Sequence, residues 1–199
     1  MIRYAVFVSI AGLILYACAS VPITGRQQLN LVSNEEIIPI VNQQYDSIIR
    51  SARLSSDAQQ TAMVKEVGRK IQKAVEQYMA ENNTSDELAG FSWEFNLIDD
   101  PKTVNAWCMP GGKVAFYSGI MPICKNEAGV AVVMGHEVAH AIANHGRERM
   151  SQGMVANGLL GTFAAALGQN PGLTKQLLLQ AVGIGAQVGM NTPFEIAVA

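Results

Sequence analysis

Apolar residues recur at helical spacing through the first half of the chain and switch to strict alternation near its middle. Ser33 and Glu36 form a capping-box pattern that opens a helix running to about Ala52. A second such start, Ser56 with Gln59, leads into Met63, Val67, Ile71, Val75 and Met79, one apolar stripe that reads as core. The turn-rich "ENNTSDELAG" closes that helix. Phe91, Trp93, Phe95 and Leu97 then alternate with Ser92, Glu94 and Asn96, which predicts a half-buried strand broken at Asp99-Asp100-Pro101. "TVNAWC" and "KVAFYSG" read as two further strands around Met109-Pro110-Gly111-Gly112. The sheet is therefore expected to be small and mostly antiparallel, with helices before and after it: an α+β fold, mainly helical. From Asn126 to about Ser151 the period is helical again. Residues 152–194 carry one charged side chain, Lys175, and divide at "GQNPG" into two apolar pieces. Both are interrupted by Gly, Asn or Gln before they reach spanning length, so they read as buried or as touching a membrane peripherally.

Composition narrows the class. Of 199 residues, 49% are hydrophobic and 15% charged, enough apolar material for one domain with its own core. A formal net charge of −2 without a basic block gives no electrostatic footing for nucleic acid. At the N-terminus, Arg3 precedes an apolar run over residues 4–16, too short to span a bilayer comfortably and flanked like a secretory signal. It ends in Leu15-Tyr16-Ala17-Cys18, similar to a bacterial lipobox. The expected layout is a lipoprotein signal peptide at 1–17, a tether at 18–32 and a catalytic domain at 33–199, with Cys18 as the lipidation site. The other reading of residues 4–16 is an uncleaved anchor. Ala19 after the cysteine points to the periplasmic face of a bacterial outer membrane. Of the remaining cysteines, Cys108 and Cys124, the sequence allows either a disulfide or two buried thiols.

All three histidines fall in "MGHEVAHAIANHGRERM", residues 134–150. On a continuous helix His140 lies about 40° round from His136, so both imidazoles share a face and can coordinate one Zn²⁺. Glu137 sits beside them, placed to take a proton from water rather than to bind the metal. This is the His-Glu-x-x-His pattern of zinc hydrolases. The competing reading, a solvated helix face, sits badly with the apolar run Val130–Met134, because unpaired polar groups entering such a helix are costly. His145 would lie roughly 180° from His136 unless the helix ends first. The three-histidine extension also fails, since Ala143 stands where it needs Gly and Gly146 where it needs His. His145 is therefore read as a helix-end residue or one supporting the site from behind.

"VNAWCMPGGKVAFYSGIM", "GHEVAHAIANHGRERMSQ", "VPITGRQQLNLVSNEE" and "WEFNLIDDPKTVNAWCMPGG" together resemble gluzincin metallopeptidase family forty-eight, the HtpX, OMA1 and CAAX prenyl protease family, and within it the bacterial lipoprotein branch. The resemblance implies a zincin-like fold, its active-site helix beside the sheet, and a zinc endopeptidase with one Zn²⁺, ligands His136 and His140, and Glu137 as base. It also implies polypeptide substrates that pair with the strand after the Gly-Gly turn: Gly111, Gly112, Lys113, Val114, Ala115, Phe116 and Tyr117. Taken as an edge strand, that segment would offer unpaired backbone groups; the other reading is a plain hairpin turn. The family takes a third ligand from a later Glu-x-x-x-Asp helix after a Pro-aromatic pair. Here Pro193-Phe194 is followed by "EIAVA", so Glu195 is the expected third ligand and the chain reads as truncated at its C-terminus. The expected function is a membrane-tethered endopeptidase acting on misfolded or misassembled envelope proteins. The alternative is a catalytically incomplete, chaperone-like lipoprotein of the same fold.

Overall fold

The computed structural model describes residues 18–20, 27–29, 31, 33–156 and 176. Residues 1–17, Glu195, Pro193-Phe194 and nearly all of the two C-terminal apolar pieces lie outside the described residues. Within the expected tether, β1 (Cys18–Ser20) pairs antiparallel with β2 (Gln27–Leu29). The chain then enters α1 (Asn34–Ser51), where both bonds of the capping box form: Glu36 N–H donates to Ser33 Oγ at 3.2 Å and Ser33 N–H to Glu36 Oε2 at 2.9 Å. Helix α2 (Ala58–Glu81) starts one residue later than the Ser56 pattern suggests. Asp57 is its N-cap and accepts from Gln60 N–H at 2.9 Å; a carboxylate caps the positive end of a helix at least as well as a hydroxyl.

Three strands follow: β3 (Glu94–Ile98), β4 (Ala106–Met109) and β5 (Lys113–Tyr117), in the spatial order β3-β5-β4. β5 pairs in parallel with β3 and antiparallel with β4, so the sheet is mixed. The chain leaves β3, skips one strand position to form β4, and the Gly111-Gly112 turn folds β5 back into the gap. The expected edge strand is thus the central one. It is buried along nearly its whole length, which explains its unbroken apolar run.

The pleat sends alternate residues to two cores. On one face Phe95, Leu97, Ala106, Cys108, Val114 and Phe116 pack against α2 and against α4 (Glu127–Ile142), which follows the short α3 (Met121–Cys124). On the other, Ile98, Trp107, Met109 and Ala115 pack against Ile37, Val41 and Tyr45 of α1 and Met150 of α5 (His145–Ala156). The α2 stripe is core as expected, with Val67 and Met79 buried and Met63, Ile71 and Val75 half-buried against the same cluster. Among the described residues no helix is long and apolar enough to cross a membrane.

Candidate active site

Asn126 caps helix α4, its Oδ1 accepting from Gly129 N–H at 3.1 Å. It buries Val130, Val133, Met134, Val138, Ala141 and Ile142 against the sheet and α2. An ion pair between Lys70 and Glu127 adds a polar tie between the two helices. A helix this apolar has little reason to carry polar side chains except where they work. Beyond Glu127 in the first turn, His136, Glu137 and His140 are those exceptions.

The two imidazoles stand nearly perpendicular with ring centroids 4.4 Å apart, and their Nε2 atoms are 3.0 Å apart. Two nitrogens at zinc-bond length from one tetrahedral ion would be separated by about 3.3 Å, so the Nε2 atoms already converge on a point that suits Zn²⁺. Burial lowers the pKa of His140, with His136, His145 and Arg149 adding to the effect, in the direction that favours the neutral ring a metal ligand needs. Glu137 is half-buried. Burial pushes its carboxyl up to about 7, partly offset by the positive charge of Arg149. Cys108 on β4 is buried nearby. Burial raises its thiol pKa, and the Glu137 carboxylate adds to the rise.

The expected continuous helix over 126–151 does not exist. Ala143 caps α4, Asn144 takes a left-handed φ of 58°, and α5 starts at His145. The break returns His145 to the site, its Nδ1 2.7 Å from His140 Nδ1. The signal for this was Asn144, since Asn tolerates the left-handed conformation that ends helices. Sequence reasoning missed Cys108 and Arg149 because their approach to Glu137 depends on the packing of β4 and α5 around α4. Cys108 and Cys124 are both free and buried, which decides between the two readings of these thiols.

The strand proposed to receive substrate requires correction. β5 has β3 on one side and β4 on the other, so the backbone of Lys113, Val114, Ala115, Phe116 and Tyr117 has no open edge. Lys113 is buried and pairs with Glu94 Oε2 at 3.3 Å. The Gly111 and Gly112 carbonyls accept from Ser92 and Glu94 N–H at 2.9 and 3.1 Å. Gly112 is at φ 79°, and a Cβ there would lie 2.6 Å from the Trp93 ring. The close approach these glycines permit is to β3's own entry, not to another chain. Cys18 lies in β1, and Glu195 is outside the described residues.

An open apolar groove of about 350 Å³ runs between Ile71, Val75 and Tyr78 of α2 and Gly135, Ala139 and Ile142 of α4. It occupies a different face of α4 from the imidazoles and has no group suited to bond hydrolysis. Among the described residues no group of three or more His, Cys, Asp or Glu could hold a metal ion.

The profile of Peptidase family M48 matches residues 65–195. The mitochondrial metalloendopeptidase OMA1 of Saccharomyces cerevisiae is 33% identical over 133 residues, 66% of this chain and 39% of that protein. OMA1 of Schizosaccharomyces pombe is 38% identical over 91 residues, 46% of this chain and 27% of its own. Human OMA1 is 24% identical over 128 residues, 64% of this chain and 24% of its own. The chain spans less than half the length of each of these relatives. Since the matched profile takes in most of α2, the whole sheet, and the helix that carries both histidines, the chain belongs to Peptidase family M48.

Proposed function

We propose that this chain is a zinc metalloendopeptidase, tethered to a membrane through Cys18 and acting on misfolded or misassembled envelope proteins. The observation that carries the reading is the convergence of His136 and His140 Nε2 to 3.0 Å with Glu137 half-buried beside them. His136 and His140 would hold the zinc. When bound, zinc supplies the Lewis acidity that polarises a scissile carbonyl and acidifies water. Glu137 projects from a neighbouring face of α4, and burial sets its proton affinity near neutrality. It can therefore accept a proton from the attacking water and return it to the leaving amine. For the third ligand we retain Glu195, the last residue of the span matched by the family profile.

With β5 enclosed, the edge strands among the described residues are β3 and β4. The Leu97 carbonyl of β3 already accepts from Ser55 N–H at 2.9 Å, so β4 is the better candidate to receive an extended substrate. The Asn105 carbonyl accepts from Tyr117 N–H at 3.1 Å. By antiparallel alternation the backbone groups of Ala106 and Cys108 face away from β5. The Asn105 side chain already accepts from Ala106 N–H at 2.9 Å, which leaves Cys108 as the better point for main-chain pairing. The lipobox-like "LYAC" supports the tether, while the relatives are named as mitochondrial metalloendopeptidases.

A catalytically incomplete, chaperone-like lipoprotein is the second reading, kept because no group of three or more metal-binding side chains stands among the described residues. Casein hydrolysis by the purified chain separates the two. Cleavage that a chelator stops and that Glu137→Gln abolishes supports the peptidase. Bound zinc with no Glu137-dependent cleavage supports the chaperone-like reading.

A further inference from the structure

We infer that His145 is a positioning residue for the metal site: its Nδ1 accepts the Nδ1–H of His140 and so fixes His140 in the tautomer that presents a bare Nε2 to zinc. The inference rests on the zinc reading above and adds a role for the one histidine outside the His-Glu-x-x-His pattern.

The argument starts from two contacts of one ring. His140 Nδ1 is 2.7 Å from His145 Nδ1, and His140 Nε2 is 3.0 Å from His136 Nε2. A neutral imidazole carries one proton, so the two ends of His140 are linked. If His145 donated, the His140 proton would sit on Nε2, directed at His136 and occupying the lone pair a metal needs. If His145 accepts, the proton sits on Nδ1 and Nε2 is free to ligate. Metal-binding histidines usually hand their second N–H to a carboxylate, a backbone carbonyl or a water. Here the group against His140 Nδ1 is the His145 ring, which in its neutral form with the proton on Nε2 supplies a lone pair in the same role.

The backbone is shaped for this contact. On an unbroken helix, positions 140 and 145 are about 140° apart, too far for their rings to meet at this distance. The left-handed turn at Asn144 starts a new helix axis at His145 and brings the rings to a centroid separation of 4.9 Å, tilted by 52°. Arg149 Nε donates to the His145 carbonyl at 3.4 Å, which helps hold the first turn of α5.

The inference is tested with three substitutions in the full chain, reading zinc affinity by competition against a chromophoric chelator. His145→Leu removes the acceptor. His145→Asn puts an amide oxygen where Nδ1 stood, and His145→Gln puts one nearer the position of Nε2. The expected result is a loss of about 10- to 100-fold in zinc affinity for Leu, a loss of similar size for Gln, and recovery of most of it by Asn. Thermal melts of the zinc-free proteins show whether all three remain folded. Wild-type affinity in His145→Leu overturns the inference. Equal losses in Leu, Asn and Gln overturn it as well, since the ring's bulk would then be what matters. Absence of zinc binding in the unsubstituted chain would overturn the zinc reading together with this inference, whereas zinc binding that ignores His145 overturns this inference alone.

Discussion

The Tyr45 hydroxyl of α1 donates to the Val114 carbonyl of β5 at 3.2 Å, tying the first helix to the central strand from the face opposite the histidines. The same oxygen accepts from Asn96 Nδ2 at 3.0 Å, so one phenol joins α1 to two neighbouring strands. Burial holds its pKa well above the usual tyrosine range, and it remains a donor at any ordinary pH. Tyr45→Phe leaves the ring packing against Trp107 intact but removes both bonds. We expect a loss of about 1–2 kcal/mol in urea unfolding, with the slope unchanged.

Gly68 lies inside α2 where a Cβ would come within 2.4 Å of the Phe95 ring. The neighbour is a ring wedged between β3 and the helix, with no flexible end to move aside. Gly68→Ala should therefore destabilise by about 1–3 kcal/mol despite the better helix propensity of alanine. Phe95→Leu in the same chain should recover part of that loss, a coupling that a double-mutant cycle measures.

The turn at Asn144 should be as sensitive as the side chains it positions. Asn144→Val forces a β-branched residue to a φ of 58° and should cost about 1–2 kcal/mol; Asn144→Gly should cost little. If the turn serves to return His145 to His140, Asn144→Val also lowers zinc affinity and Asn144→Gly does not. Stability loss without any change in zinc affinity would mean that His145 reaches its place by another route.

Both structural cysteines are free and buried, and burial raises the pKa of each thiol. Cys108 and Cys124 should resist iodoacetamide in the native protein. Both should become alkylated in concentrated urea without prior reduction, as mass spectrometry of the tryptic peptides would show. Alkylation that requires a reductant would indicate a disulfide and contradict this packing.

Local chemistry made much of the fold legible. The Ser33/Glu36 capping box forms as its spacing suggests, and the stripe from Met63 to Met79 faces the core. His136 and His140 meet because one helical turn separates them, a relation that needs no knowledge of the rest of the molecule. The strand order was not legible. "KVAFY" is apolar at nearly every position, which suits a strand buried on both faces, whereas the family resemblance implies an edge strand there. Which of two hairpin strands lies inside depends on β3 arriving in parallel, and no local spacing records that. The break at Asn144 was legible in principle, since Asn is a common helix-ending residue, yet the continuing helical pattern of Arg147 to Ser151 concealed it.

The most direct test of the account is zinc stoichiometry in gel-filtered protein, measured by elemental analysis on the unsubstituted chain, His136→Ala, His140→Ala and Glu137→Gln. A site built from two convergent imidazoles with a separate carboxylate base predicts one zinc per chain in the unsubstituted protein and in Glu137→Gln, and essentially none in either histidine variant. Equal loss of zinc from Glu137→Gln and His136→Ala would contradict the division of roles, and no zinc in the unsubstituted chain would contradict the site itself.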